Sequence, residues 1–302
     1  MLRRDFIASA SLLAGGLITA PFTGNSESLS QQTAMPKLKK SLGYGMIQED
    51  IPLLDKLKLV KDLGYDGVEF NSPVDVNLKE LVAAKEQTGI LLPSTVNKDH
   101  WSKPLSDPDP SGREFIINSI TRSLEETKEL GGDTVLVVPG VVNEKVSYET
   151  AFNTALESIR KLIPAVERTG VRIGLENVWN NFILSPMEAK NLVDTINHPL
   201  IGFYFDIGNV LRYGWPEHWI ETLNSRIIKL HIKEFSRKKM NDEGLWKGFD
   251  VELTEGDIDW AAVMTALRKT NYKGEWITAE VKGGDRKRLA QVSEQMDKII
   301  SM

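Results

Sequence analysis

Eight short β-type runs, separated by amphipathic helical stretches, restrict this chain to folds built on a parallel sheet with crossover helices. The runs are 41–47, 66–70, 90–96, 133–140, 171–177, 201–209, 227–235 and 274–281. Helical patterns occupy 51–63, 78–88, 113–130, 148–168, 186–196, 217–223, 260–269 and 286–300. Glycines stand where helices should stop, at Gly64, Gly89, Gly131 with Gly132, and Gly170, because the left-handed residue that closes a helix is cheapest as glycine. Eight strand-then-helix repeats close most naturally into an α/β chain of the (β/α)8 barrel type, a single domain over 37–302. A doubly wound open sheet is the weaker alternative. No Gly-x-Gly-x-x-Gly turn follows the first run, so a dinucleotide fold has little support.

Residues 1–36 read as an appendage to that barrel. Arg3-Arg4-Asp5-Phe6-Ile7 precedes a weakly apolar stretch, Ala8 to Ala20, too short to span a bilayer, and a polar linker from Asn25 to Thr33. This resembles a twin-arginine export signal. The expected location is therefore periplasmic, with the twin-arginine translocase as a transient partner and no stable membrane insertion. Phosphorylated metabolites are scarce there, which counts against a phosphorylated ligand. The absence of cysteine fits export without disulfides but is a weak signal.

A formal net charge of −5 argues against nucleic acid as a partner, since backbone binding needs a basic face. A small-molecule ligand is the expected partner, and self-association into a homo-oligomer is compatible with it. Two connections, 97–112 and 236–257, are longer than a plain barrel needs, and both leave the carboxyl ends of strands, where barrel active sites lie.

At or near the ends of the last four runs stand Glu176, Asp206, His231 and Glu280. A lone charge in such apolar surroundings is costly, and one divalent cation shared by all four removes that cost. Three carboxylates and an imidazole suit Mn2+, Mg2+, Co2+ or a catalytic Zn2+. Other candidates for contact with substrate are Glu69 and Asn71 at the end of the second run, His100 beside Trp101 after the third, and Lys233 and Arg237 after the seventh, as holders of a phosphate or a hydroxyl. Trp179, Trp215 and Trp246 are candidates for stacking on a sugar face.

The arrangement of a Glu ending the fifth run, Asp-x-Gly-Asn in the sixth, His-x-Lys in the seventh and Glu in the eighth resembles the xylose-isomerase-like TIM-barrel superfamily of sugar isomerases and epimerases, from about Lys40 onward. HIKEF and EGDIDW are similar to its keto-sugar and pentulose-phosphate 3-epimerases. The resemblance implies a metal held by Glu176, Asp206, His231 and Glu280, with Glu176 and Glu280 also serving as acid and base. Its endonuclease branch carries a histidine three residues after the sixth-strand Asp and more histidines elsewhere. This chain has Asn209 there and four histidines in all, so DNA repair is not expected. Ketose epimerases use that same histidine on a hydroxyl, and Asn209 is the candidate for that contact here. The expected activity is a metal-dependent epimerase or isomerase that enolises a keto sugar or sugar phosphate through an enediolate. A lyase or hydratase acting on a 3-keto-glycoside through the same chemistry, and a non-catalytic sugar-binding barrel, are the alternatives.

Overall fold

The computed structural model describes residues 35–302, so the candidate export signal and linker lie outside the described residues. Eight parallel strands form a closed barrel in sequence order: β1 Lys39–Gly43, β2 Gly67–Ser72, β3 Ser94–Asn97, β4 Thr134–Val137, β5 Arg172–Glu176, β6 Ile201–Asp206, β7 Ile227–Ile232 and β8 Trp276–Ala279. β8 pairs back to β1, with Ser41 opposite Thr278. Around it run α1 Leu53–Asp62, α2 Leu78–Thr88, α3 Pro110–Glu129, α4 Tyr148–Thr169, α5 Pro186–Ile196, α6 Pro216–Leu223, α7 Arg237–Glu243, α8 Trp260–Lys269 and α9 Arg286–Ile300. Among the described residues, no helix is long and apolar enough to cross a membrane.

The local chemistry explains most boundaries. Asn77, Asp109, Ser147, Ser185, Asp259 and Asp285 each cap a helix through a side-chain oxygen that accepts a free first-turn N–H. Gly89 and Gly170 close α2 and α4 at φ of 65° and 74°. Several boundaries differ from the sequence expectation: most strands end earlier, and the run expected at 41–47 is β1 at Lys39–Gly43 followed by a 3-10 turn at Tyr44–Met46. β3 begins at Ser94 rather than at 90, because Pro93 has no N–H to give the ladder. α3 begins at Pro110 rather than 113, since Asp109 caps it and proline is favoured in a first turn. α7 falls within the connection read as loop: Ser236 caps it, and it buries no side chain, so it lacks the apolar period by which a helix is recognised.

Successive strand residues point to opposite sides of the barrel wall. Val68, Phe70, Ile173, Leu175, Phe203, Phe205, Leu230, Ile232 and Ile277 alternate with Glu69, Gly174, Glu176, Tyr204, Asp206, His231 and Thr278, and all of these apolar side chains are buried. The apolar set packs under the helices and the polar set fills the barrel, so the interior carries the chemistry. Gly174 is part of this packing, because a Cβ there would sit 2.9 Å from the Cβ of Tyr204.

Buried charge also occurs away from the β-strand ends. The fully buried Lys229 ammonium lies 2.9 Å from an oxygen of Asp133, which also pairs with Arg172. Burial lowers the pKa of Lys229, and Asp133 opposes that. Replacing Asp133 with Asn should destabilise the protein by roughly 1–3 kcal/mol, below the full penalty of a buried orphan charge because Asp133 is half exposed. Lys229→Met, which removes the charge instead, should be far less harmful or neutral. Denaturant midpoints of the two variants check this, and equal losses would contradict it.

Candidate active site

Glu176 is the last residue of β5, Asp206 the last of β6, His231 the fifth of β7, and Glu280 the residue after β8. The register sets Asp206 directly opposite His231, and the barrel curvature brings the other two alongside. One ligand atom from each of the four residues falls within 4.8 Å of the others. Glu176, Asp206 and His231 are buried, while the Glu280 side chain is 52% exposed at the rim.

His231 is fixed from both sides. Its Nε2 lies 2.7 Å from Glu69, and its Nδ1 lies 3.0 Å from Glu176 and 3.4 Å from Glu280. Glu69 is held in turn by Ser94 at 2.5 Å and by the hydroxyl of Tyr204 at 2.6 Å, both donating to its second oxygen. A proton on Nε2 shared with Glu69 leaves the Nδ1 lone pair toward the ligand cluster, the arrangement in which a carboxylate orients a metal-binding imidazole. Burial works against charge on this ring, but the surrounding carboxylates win and raise its pKa well above the usual value.

Asp206 is braced by backbone and amide contacts. Asn177 pairs with both the N–H and the carbonyl of Asp206 at 2.9 Å, the Asn209 N–H donates to Oδ1 at 2.7 Å, and the Asn209 amide donates to the carbonyl of Asn177 at 2.8 Å. Oδ2 of Asp206 is buried and receives no aligned hydrogen bond, although the Lys233 ammonium stands 3.0 Å away as an ion pair. Lys233 also lies 2.7 Å from Glu280. The two glutamates are driven apart. Burial, helped by the charges on Glu280 and Asp206 and opposed by His231, pushes Glu176 up to about 7. Glu280 falls well below the usual carboxylate range: burial would raise it, but Lys233 and His231 outweigh that. The oxygen-rich donor set, its close spacing and the under-coordinated Oδ2 together fit a hard or borderline divalent ion held by Glu176, Asp206, His231 and Glu280.

A cavity of about 700 Å3 opens over this cluster, lined by Val96, by the His100–Trp101 pair and by the aromatic group of Trp179, Trp246 and Phe249. A second, of about 520 Å3, is lined by Tyr44, Gln48, Glu69, Asn71 and Asp75, and shares Val96, His231, Glu280, Val281 and Lys282 with the first. His100 is buried against the N–H of Val138, and burial pushes it down to about 4. Asn209 and Asn71 line the first and second cavities respectively.

Three of the candidate contacts meet protein partners in the structure. Both oxygens of Glu69 are engaged by protein groups, so it orients His231 instead of standing open to a sugar. Lys233 is committed to Asp206 and Glu280 and is not a free phosphate holder. Arg237 donates to the carbonyls of Leu211 and Gly214, both at 2.7 Å, and stacks over Trp215, bracing the connection after β6 and lining neither cavity. Sequence reading missed Tyr204, Ser94 and Asn177, and also Glu234. Buried beside Phe235, Glu234 accepts the N–H groups of Phe235, Thr254 and Ile258 and the indole N–H of Trp260, at 2.9–3.3 Å. It clips the long connection between β7 and α8, which carries Trp246 and Phe249, to the barrel rim.

The model of the xylose isomerase-like TIM barrel family matches residues 57–302. The chain belongs to that family. It is 26% identical over 182 residues to the uncharacterized protein MJ1311 of Methanocaldococcus jannaschii, a match that spans 57% of this chain and 60% of that one. It is 23% identical over 243 residues to the putative L-ribulose-5-phosphate 3-epimerase SgbU of Escherichia coli K12, covering 76% of this chain and 84% of that protein. Its fold matches the apo 3-keto-D-glucoside 4-epimerase YcjR of E. coli with a TM-score of 0.73 at 18% identity, covering 88% of this chain and 100% of that one. It also matches the IolI protein with a bound zinc atom with a TM-score of 0.70 at 20% identity, covering 87% and 98%.

Elemental analysis should find about one divalent ion per chain, reduced well below that in Asp206→Asn and His231→Ala. Glu69→Gln, which keeps the packing but removes the charge behind Nε2, should weaken metal affinity about 10–100-fold. Full retention in Asp206→Asn and His231→Ala would remove the ligand assignment.

Proposed function

We propose that this protein is a metal-dependent sugar epimerase or isomerase that removes and returns a proton beside the carbonyl of a keto sugar. One observation carries the reading: two carboxylates of unlike character, buried Glu176 and rim Glu280, flank the same imidazole nitrogen at 3.0 and 3.4 Å under a cavity of ligand size. The curated relative SgbU and the fold match YcjR, an epimerase on a keto-glucoside, support a sugar epimerase. The zinc-bound IolI structure supports the metal.

Glu176, Asp206, His231 and Glu280 would hold the ion, which supplies Lewis-acid stabilisation of the negative charge that develops on substrate oxygen. One glutamate takes the proton from the carbon next to the carbonyl, and the C–H electron pair moves toward the carbonyl oxygen. The other delivers a proton to the opposite face of that carbon, which inverts it, or to the former carbonyl carbon while the hydroxyl proton of the first carbon passes to the former carbonyl oxygen, which isomerises the sugar. Unequal proton affinity suits two carboxylates to acid and base roles in turn. Glu69, by fixing the ring of His231, and Asn177, by bracing Asp206, keep the carboxylates in place. The apolar walls Val178, Trp179 and Phe249 limit water around the exchanging proton. We also propose that Arg3-Arg4-Asp5-Phe6-Ile7 exports the enzyme to the periplasm, which supports an unphosphorylated substrate.

At matched metal occupancy, Glu176→Gln and Glu280→Gln should each lose about 10²–10⁴ in turnover with the fold intact by circular dichroism. Solvent deuterium should enter a carbon adjacent to the carbonyl of a keto-sugar substrate with the parent enzyme; turnover within a few-fold in both variants would overturn the two-carboxylate mechanism, and no exchange with the parent would favour a non-catalytic sugar binder. Replacing Arg3 and Arg4 with lysine should leave the precursor in the cytoplasm by fractionation, and unchanged periplasmic delivery would defeat the export assignment.

A further inference from the structure

The two cavities meet at the ligand cluster and differ in character. The second offers Gln48, Asn71 and Asp75, polar groups suited to hydroxyls. The first is walled by aromatic rings from two connections: Trp179, after β5, lies with ring centroids 4.9 Å from Trp246 and 4.9 Å from Phe249, both after β7, at interplanar angles of 39° and 40°. Trp246 is 67% exposed and Trp101, which also lines this cavity, 58%. Exposed tryptophan beside a site is surface kept for a ligand more readily than for stability. Each cavity alone falls within the roughly 300–1000 Å3 of a small-molecule pocket, so a single sugar ring over the cluster leaves one of them vacant.

The charges lining the two cavities narrow the occupant further. Glu176, Glu234, Asp250 and Glu280 border the aromatic cavity, while Lys233 is bound to Asp206 and Glu280 and His231 to Glu69 and Glu176, leaving Lys282 at the junction as the remaining lysine among its lining residues. A phosphate dianion finds no cluster of donors there. Resting on the keto-sugar reading above, we propose that the substrate is an uncharged keto-glycoside: the oxidised ring sits over the ligand cluster with its hydroxyls toward Gln48 and Asn71, and a second unit, a sugar or aryl group, lies against Trp179, Trp246 and Phe249. Aromatic faces recognise such units by stacking on their C–H or π surfaces. The second unit is a spectator in the proton transfers and supplies binding energy from outside the reacting carbon.

The metal-loaded enzyme is assayed for deuterium exchange on three probes: a free keto-hexose oxidised at a ring carbon other than the anomeric one, its phosphate ester, and its phenyl glycoside, in which that ketone stays free. The glycoside should exceed the free sugar in kcat/KM by about tenfold or more, and the phosphate should be poorer than both. Trp246→Ala, at an exposed position that does not threaten folding, should bring the glycoside-to-hexose ratio to near one through KM, with Trp246→Phe restoring most of it. Unoxidised phenyl glucoside, which cannot be enolised, should quench tryptophan fluorescence of the parent and not of Trp246→Ala. A free sugar or phosphate handled as well as the glycoside, or a ratio unmoved in Trp246→Ala, overturns the assignment. Absence of exchange on every probe counts against the enolisation reading, and the fluorescence result then decides the aromatic subsite by itself.

Discussion

Repulsion among carboxylates is the constraint around which the mouth of this barrel is arranged. Glu176 and Asp206 are both buried, and the candidate ligand atoms fall within 4.8 Å of one another. At an effective dielectric near 20, two unit charges at such a distance repel by roughly 3–4 kcal/mol. The chain answers with the Lys233 ammonium between Asp206 and Glu280, an imidazole between Glu69 and Glu176, and backbone and amide donors on Asp206. A divalent cation held by the four candidate ligands would add what those groups leave unsettled at Oδ2 of Asp206. Stability alone would be served more simply by apolar residues at these positions, so so much negative charge gathered under a cavity points to chemistry.

The polar layer below the cluster makes that geometry rigid. From Ser41 through Thr278, within 2.5 Å of each other, and from Tyr204 and Ser94 to Glu69, hydroxyls of strands far apart in sequence converge on one carboxylate and through it on His231. Gly174 leaves room for the Tyr204 ring. These contacts tie β2, β3, β6 and β7 together across the barrel interior, so the imidazole is positioned by several elements at once.

The fold and the ligand cluster were legible because each strand and each ligand announces itself locally: an apolar run, then a charge where the run should have stayed apolar. What stayed hidden depends on long-range pairing. Glu69 reads as an open strand-end acid until its partner His231, 162 residues later, is brought across the barrel. Arg237 reads as a free cation until the folded connection presents two carbonyls to it. Tyr204 was available in principle, since it lies two residues before Asp206 and a period of two keeps both on the inner face. The same step back from Glu280 reaches Thr278. Nothing local reveals α7, which has no buried face, or Glu234, whose donors come from a segment without repeating pattern.

Glu234 has a consequence for how such a site can change over generations. Three of its four donors are main-chain N–H groups, so the clip reads the path of the connection and is nearly blind to its side chains. Residues around Trp246 and Phe249 can therefore be exchanged, lengthened or reshaped without loosening the join to the barrel or disturbing the ligand cluster a few residues upstream. On the function proposed above, the reacting centre and the part of the cavity wall carried by this connection would be separately inheritable, so that this stretch of chain could be altered without rebuilding the proton-transfer groups.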